Sequence, residues 1–192
     1  MNFTDLRVIR TQERFQNAML ELLRTKQFKE ITIKDICTTA GVSRNAFYQH
    51  YGYKEDLYNQ MVAVATETIR DALLPVIPDA SGLQPSVVDS YANQIIDGLV
   101  RVKDLLDVML KSDEGIFLRQ LTDLIFGQTL TNAISFFGVE DSPELRLYYE
   151  YYSAGIAAIV IRMVLEEDLS EERAVSALSR ILLLPPADLR TP

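Results

Sequence analysis

The run ITIKDICTTAGVSRNAFYQHYGYKEDL, Ile31–Leu57, decides how the rest of the chain is read. Two short helical patterns flank Ala40-Gly41-Val42, and Gly41 stands where the backbone must turn sharply, since glycine accepts positive φ at no steric cost. Ahead of the turn, Ile33, Ile36 and Cys37 fall on one helical face that Thr32 opens. Thr32 with Asp35 three residues on matches a capping box in which Asp replaces the usual Glu. After the turn, Ser43 is placed to cap a second helix with Phe47 and Tyr51 turned inward, leaving Arg44, Asn45, Tyr48 and Gln49 on the outer face. This is the layout of a helix-turn-helix, whose second helix fits the major groove of DNA.

A longer signature is superimposed on that layout. Ala40-Gly41-Val42-Ser43, then Phe47-Tyr48, His50-Tyr51 and Lys54-Glu55-x-Leu57, resembles the DNA-binding motif of the tetracycline-repressor (TetR) family. The resemblance implies an all-α protein. A three-helix DNA-binding domain would be joined by a long helix to a C-terminal helical bundle that binds ligand and dimerises. It also implies backbone contacts from Thr32, Ser43, Tyr48, His50 and Lys54, and base contacts from Arg44 and Asn45. Residue chemistry allows the same division. Arg44 suits guanine O6/N7, and Asn45 or Gln49 suits adenine N6/N7. Tyr48, His50 and Lys54 suit phosphates, which fix register without reading sequence. The chain departs from the family pattern twice. Ala46 replaces a common threonine, and Tyr53 replaces a small capping residue ahead of Lys54, at a cost of roughly 1 kcal/mol.

Charge follows the same division. The net charge is −8, but residues 1–60 carry 9 Lys/Arg and 7 Asp/Glu, whereas residues 61–192 carry 10 and 20. The N-terminal part is the one suited to phosphates, and the body is acidic. With one cysteine, Cys37, no disulfide framework forms, which suits a reducing cytoplasm. The N-terminus has no apolar signal region, and the most apolar run, Ala154–Leu165, is interrupted by Arg162 and too short to span a membrane.

In chain order, a first helix is expected over 5–26, with Phe15, Ala18, Met19, Leu22 and Leu23 as its inner stripe. A fourth helix runs over 54–74 with Leu57, Met61, Val64 and Ile69 inward. Pro75, Pro78, Ser81-Gly82 and Pro85 then mark a linker over 75–85. Further helices are expected over 86–101, 103–111, 114–137, 143–167 and 171–184, the last ended by Leu184-Pro185-Pro186. The domains are placed at 1–60 and 61–192.

Catalysis is not expected. The one histidine, His50, lies inside the DNA motif, no Cys/His pair or Glu-x-x-His repeat is present, and no glycine-rich phosphate loop occurs, so neither metal nor cofactor is anticipated. In the body the candidates are aromatic. Phe117, Phe126, Tyr149 and Tyr152 are assigned to a pocket for a small, largely apolar ligand, with Phe136, Phe137, Tyr148 and Tyr151 as neighbouring bulk. Arg162 is set to pair with Glu166 one turn on. Small residues at 153–158 and the stripe Ala174, Ala177, Leu178, Ile181 and Leu182 suit a homodimer through the two C-terminal helices. The expected function is a sequence-specific, ligand-responsive DNA-binding repressor. The alternative is a helical dimer that acts through a protein partner.

Overall fold

A computed structural model describes residues 3–75, 84–112, 115–166 and 169–182. Among these, nine α-helices and one short 3-10 turn are present and no strand. They are α1 (Phe3–Leu23), the 3-10 turn (Phe28–Glu30), α2 (Ile33–Ala40), α3 (Arg44–His50), α4 (Lys54–Ala72), α5 (Pro85–Arg101), α6 (Lys103–Ser112), α7 (Ile116–Phe137), α8 (Pro143–Leu165) and α9 (Glu171–Leu182). The expected terminator Leu184-Pro185-Pro186 and the linker residues Pro78 and Ser81-Gly82 lie outside the described residues. No helix among the described residues is long and apolar enough to cross a membrane.

The chain forms two compact units. The first comprises Met1–Ala65 with Leu105–Phe117, and the second Thr66–Asp104 with Leu118–Pro192. α4 therefore contributes to both.

The first unit is built around Phe15. Its ring meets Phe47 edge-on at 5.3 Å and Tyr51 at 6.1 Å, the edge-to-face arrangement that aromatic quadrupoles favour. Phe15, Met19, Ile36, Phe47 and Leu57 have no exposed surface, so four helices, α1 to α4, commit large apolar groups to one small core. Tyr51 closes it and donates its hydroxyl to Gln60 Oε1 at 2.7 Å. On α4 the inward row is Leu57, Met61, Ala65 and Ile69, each four residues apart and all buried. Val64, expected inward, is 48% exposed. A row advancing four residues at a time rotates away from a position three residues on, and Ala65 takes the buried place.

In the second unit α9 packs against both α5 and α8. Ile95, Ile96 and Leu99 of α5, Ile156, Val160 and Met163 of α8, and Ala174 and Leu178 of α9 are buried. Ser142 caps α8 by accepting from Leu145 N–H at 3.1 Å, with Pro143 at the first helical position. Arg162 donates to Glu166 at 2.8 Å, as the i,i+4 spacing requires.

Candidate nucleic-acid interface

The turn between α2 and α3 is fixed by its own backbone. Gly41 has φ 62° and ψ 36°. Its N–H donates to Thr38 C=O at 3.2 Å and the Val42 N–H to Cys37 C=O at 3.0 Å, the paired bonds of a Schellman ending. From α1, Arg14 donates to the Gly41 carbonyl at 3.2 Å. Sequence reasoning missed Arg14, because a bond across 27 residues leaves no trace in local spacing.

Both helices that meet this turn are capped as expected. Ser43 accepts from Ala46 N–H at 3.2 Å. Thr32 Oγ1 accepts from Asp35 N–H at 3.2 Å, while its own N–H (3.0 Å) and hydroxyl (2.7 Å) both donate to Asp35 Oδ2. The two caps differ in what remains. Ser43 acts as an acceptor and keeps its hydroxyl proton, whereas Thr32 directs its proton to Asp35. Those bonds, with Lys26 at 3.7 Å, hold the Asp35 carboxyl below the usual carboxylate range, the Thr32 hydroxyl contributing most.

α3 has two unlike faces. Phe47 is fully buried, whereas Arg44, Asn45, Tyr48 and Gln49 are exposed and their side chains form no hydrogen bond or ion pair among the described residues. Tyr48 is 58% exposed and rests the edge of its ring against Phe47 at 5.8 Å. His50 is half-buried, 6.3 Å from the Phe15 ring. Behind α3, burial pushes the Cys37 thiol up, and the nearby Arg44 charge partly offsets this.

Lys54 is placed differently from the other candidates. Its ammonium donates to the carbonyls of Phe28 (2.8 Å), Lys29 (3.3 Å) and Ile31 (2.8 Å), and it lies 4.6 Å from the centre of the Phe28 ring. These are the carbonyls around the 3-10 turn, and all three ammonium protons have partners inside the unit. The phosphate contact expected of Lys54 thus competes with an intramolecular role. The missing cap at Tyr53 is also answered from within. Asp56 accepts from the N–H groups of Gly52 and Tyr53, both at 2.9 Å. The sequence carried this signal, since Asp56 stands three residues after Tyr53, the spacing of the acidic half of a capping box.

The family model described as "Bacterial regulatory proteins, tetR family" matches residues 17–61, from the inner stripe of α1 through the turn into α4. Over these residues the chain is similar to the TetR family. An uncharacterized HTH-type transcriptional regulator, YxbF of Bacillus subtilis (strain 168), is 30% identical over 169 residues, 82% of this chain and 40% of that protein's length. The chain thus spans less than half of this curated relative. Solved structures extend the likeness of fold beyond the matched segment. A TetR transcriptional regulator from Streptococcus agalactiae 2603V aligns with a TM-score of 0.61 at 18% identity, covering 93% of this chain and 97% of that one. A tetR-family transcriptional regulator from Streptomyces coelicolor aligns with a TM-score of 0.65 at 14% identity, covering 95% of this chain and 81% of that one.

The ligand candidates fall in different places. Phe117 is fully buried within the first unit, whereas Phe126, Tyr149 and Tyr152 belong to the second and are half-buried. The Tyr149 and Tyr152 rings meet at 5.5 Å, and Tyr148 stacks on Tyr152 at 6.0 Å. Tyr151 points away and is 81% exposed, as 100° steps along a helix require. Burial pushes the Tyr149 phenol up to about 12 and the Tyr152 phenol well above its ordinary range. The side chains of Phe136 and Phe137 lie outside the described set.

Proposed function

We propose that the chain is a homodimeric, ligand-responsive repressor that reads operator DNA through α3. One observation carries this reading. A capped helix is locked by Phe47 to the Phe15 core while its outer face holds four exposed polar side chains without hydrogen-bond or ion-pair partners among the described residues. Groups that satisfy nothing inside the molecule are available to something outside it. Arg44 would donate to guanine O6/N7, and Asn45 or Gln49 would pair with adenine N6/N7. The Ser43 hydroxyl, Tyr48 and His50 would contact phosphates and set register. Thr32 and Lys54 support that face by holding the start of α2 and the 3-10 turn.

A seven-residue helix reads too few base pairs alone, so a second copy is needed. The surface suited to it is the outer face of α8. Leu147 (67% exposed), Tyr151 (81%) and Leu165 (37%) share that side of the helix with exposed Ala154 and Ala158. Part of the stripe expected for dimerisation is already engaged, since Ala174 and Leu178 are buried in the chain and Gly155 faces Ile181. A small, largely apolar ligand would be taken at Tyr149 and Tyr152, with Phe126 contributing and Phe117 left to its own core. Such a ligand shifts α4 only as far as its affinities for two states differ.

Selection from a randomised duplex pool at two salt concentrations tests the reading. Enrichment of an inverted repeat, with affinity falling steeply in salt, is expected. Weak binding without enrichment would replace it with the protein-partner alternative.

A further inference from the structure

The last carbonyls of a helix have no partners within it, and those at the end of α4 are met by side chains from two other helices. Gln94 of α5 donates to the carbonyls of Ala72 at 3.0 Å and Leu74 at 2.8 Å. The Leu73 carbonyl receives two donors, the Tyr91 hydroxyl from α5 and the Asn132 amide from α7 at 2.7 Å. Asn132 is only 6% exposed and is itself oriented by Gln128, which donates to its Oδ1 at 2.8 Å. α5 can approach this closely because of Gly98, where a Cβ would lie 2.4 Å from the Cβ of Ala72. Four side-chain hydrogen bonds at one helix end exceed what a surface cap needs.

One of these donors, Tyr91, also acts on the tyrosine cluster. Burial does most to oppose ionisation of Tyr152, and Tyr91, Tyr149 and Tyr148 add to it. Ser153, one residue on, donates to Tyr149 C=O and shares a hydrogen bond with Thr129 at 2.9 Å. Tyr91, which donates to the Leu73 carbonyl, is thus within electrostatic reach of Tyr152.

We propose that Tyr91 and Asn132 form a latch on Leu73 that sets the order of α4 as a whole. They are positioning residues. α4 is unbroken from Lys54 to Ala72, so release at Leu73 passes down its own hydrogen-bond ladder toward the residues behind α3. The proposal rests on the reading of α4 as the element a ligand moves, but its test requires no DNA.

The experiment is amide hydrogen exchange on the full chain, comparing wild type with Tyr91→Phe, Asn132→Leu and, as control, Ser153→Ala. Tyr91→Phe keeps the ring and removes only the donor, so it remains informative if Asn132→Leu fails to fold. Exchange at least tenfold faster in Tyr91→Phe, at residues 69–74 and also at 57–65, with Ser153→Ala unchanged there, is the expected result. Faster exchange confined to 69–74 would reduce the contact to a local cap and overturn the proposal, as would no change at all. Equal acceleration by Ser153→Ala would also overturn it, because the effect would then be general loosening. Failure of wild type to select a duplex would instead defeat the regulator reading, whatever exchange shows.

Discussion

The two units use polar side chains in opposite ways. On α3, Arg44, Asn45, Tyr48 and Gln49 are exposed and bonded to nothing among the described residues. In the second unit Tyr91, Gln94, Asn132 and Thr129 are turned inward onto carbonyls or onto one another. A buried polar group must find a partner because an unmet one costs about 1–3 kcal/mol. An exposed one has water and keeps its protons for a visitor. Satisfied donors thus mark where the protein holds itself, and free ones where it holds something else. Lys54 breaks the pattern, lying at the edge of the reading unit yet bonded inward.

The hardest blow to this contrast is Phe47→Ala. It empties the centre of the first core, at about 3–5 kcal/mol. Hydrogen exchange resolved by segment should show α1–α3 losing protection while α5, α8 and α9 keep theirs. Equal loss in both units would mean that the reading helix is not supported by a core of its own.

Next in size are changes on the free face. Arg44→Ala and Asn45→Ala should each remove roughly 1–3 kcal/mol of discrimination at one base pair. Thermal stability should move by no more than about 0.5 kcal/mol, since neither side chain packs. If both variants shift the same selected duplex with wild-type affinity, the face has been misassigned.

Most of this division was legible in the sequence. The Thr32–Asp35 box, the left-handed Gly41 and the Ser43 cap are local events spanning three or four residues, and spacing reports them directly. The contacts that escaped notice are long-range. Arg14 reaches Gly41, Lys54 reaches Phe28 and Ile31, and Asn132 reaches Leu73, across separations of 27, 26, 23 and 59 residues. Side-chain type announces that a donor exists but not which carbonyl the fold brings to it. Amphipathic spacing likewise placed the row on α4 but not its drift, so Val64 was put on the wrong side.

Lys54 is where sequence and geometry part most sharply, and Lys54→Met separates them. As a clamp, the ammonium contributes about 1–2 kcal/mol through charged hydrogen bonds to carbonyls, and its loss should lower the unfolding midpoint while leaving the salt dependence of DNA binding unchanged. As a phosphate donor, its loss should instead lower the salt slope by about 0.9 per chain. Titrating wild type and variant against one duplex at several salt concentrations distinguishes the two.

The smallest effect concerns the cap that Thr32 and Asp35 share. The Asp35 carboxyl sits below its ordinary value of 3.8 in the folded chain, chiefly because the Thr32 hydroxyl and N–H bond its ionised form. A carboxyl with a lowered folded pKa stabilises the fold fully above its unfolded value, and that contribution fades as pH falls through the folded one. The advantage of wild type over Asp35→Ala should therefore be constant from pH 7 down to about 5 and shrink below about 4. Urea midpoints for both proteins across that range give the difference directly, and carboxylates common to the two cancel. Asp35 is on the surface, so the change is small, and only its direction and pH window carry the test. A difference that stays flat into acid would mean that Asp35 supports α2 by shape rather than by charge, and that the start of α2 is held by Thr32 alone.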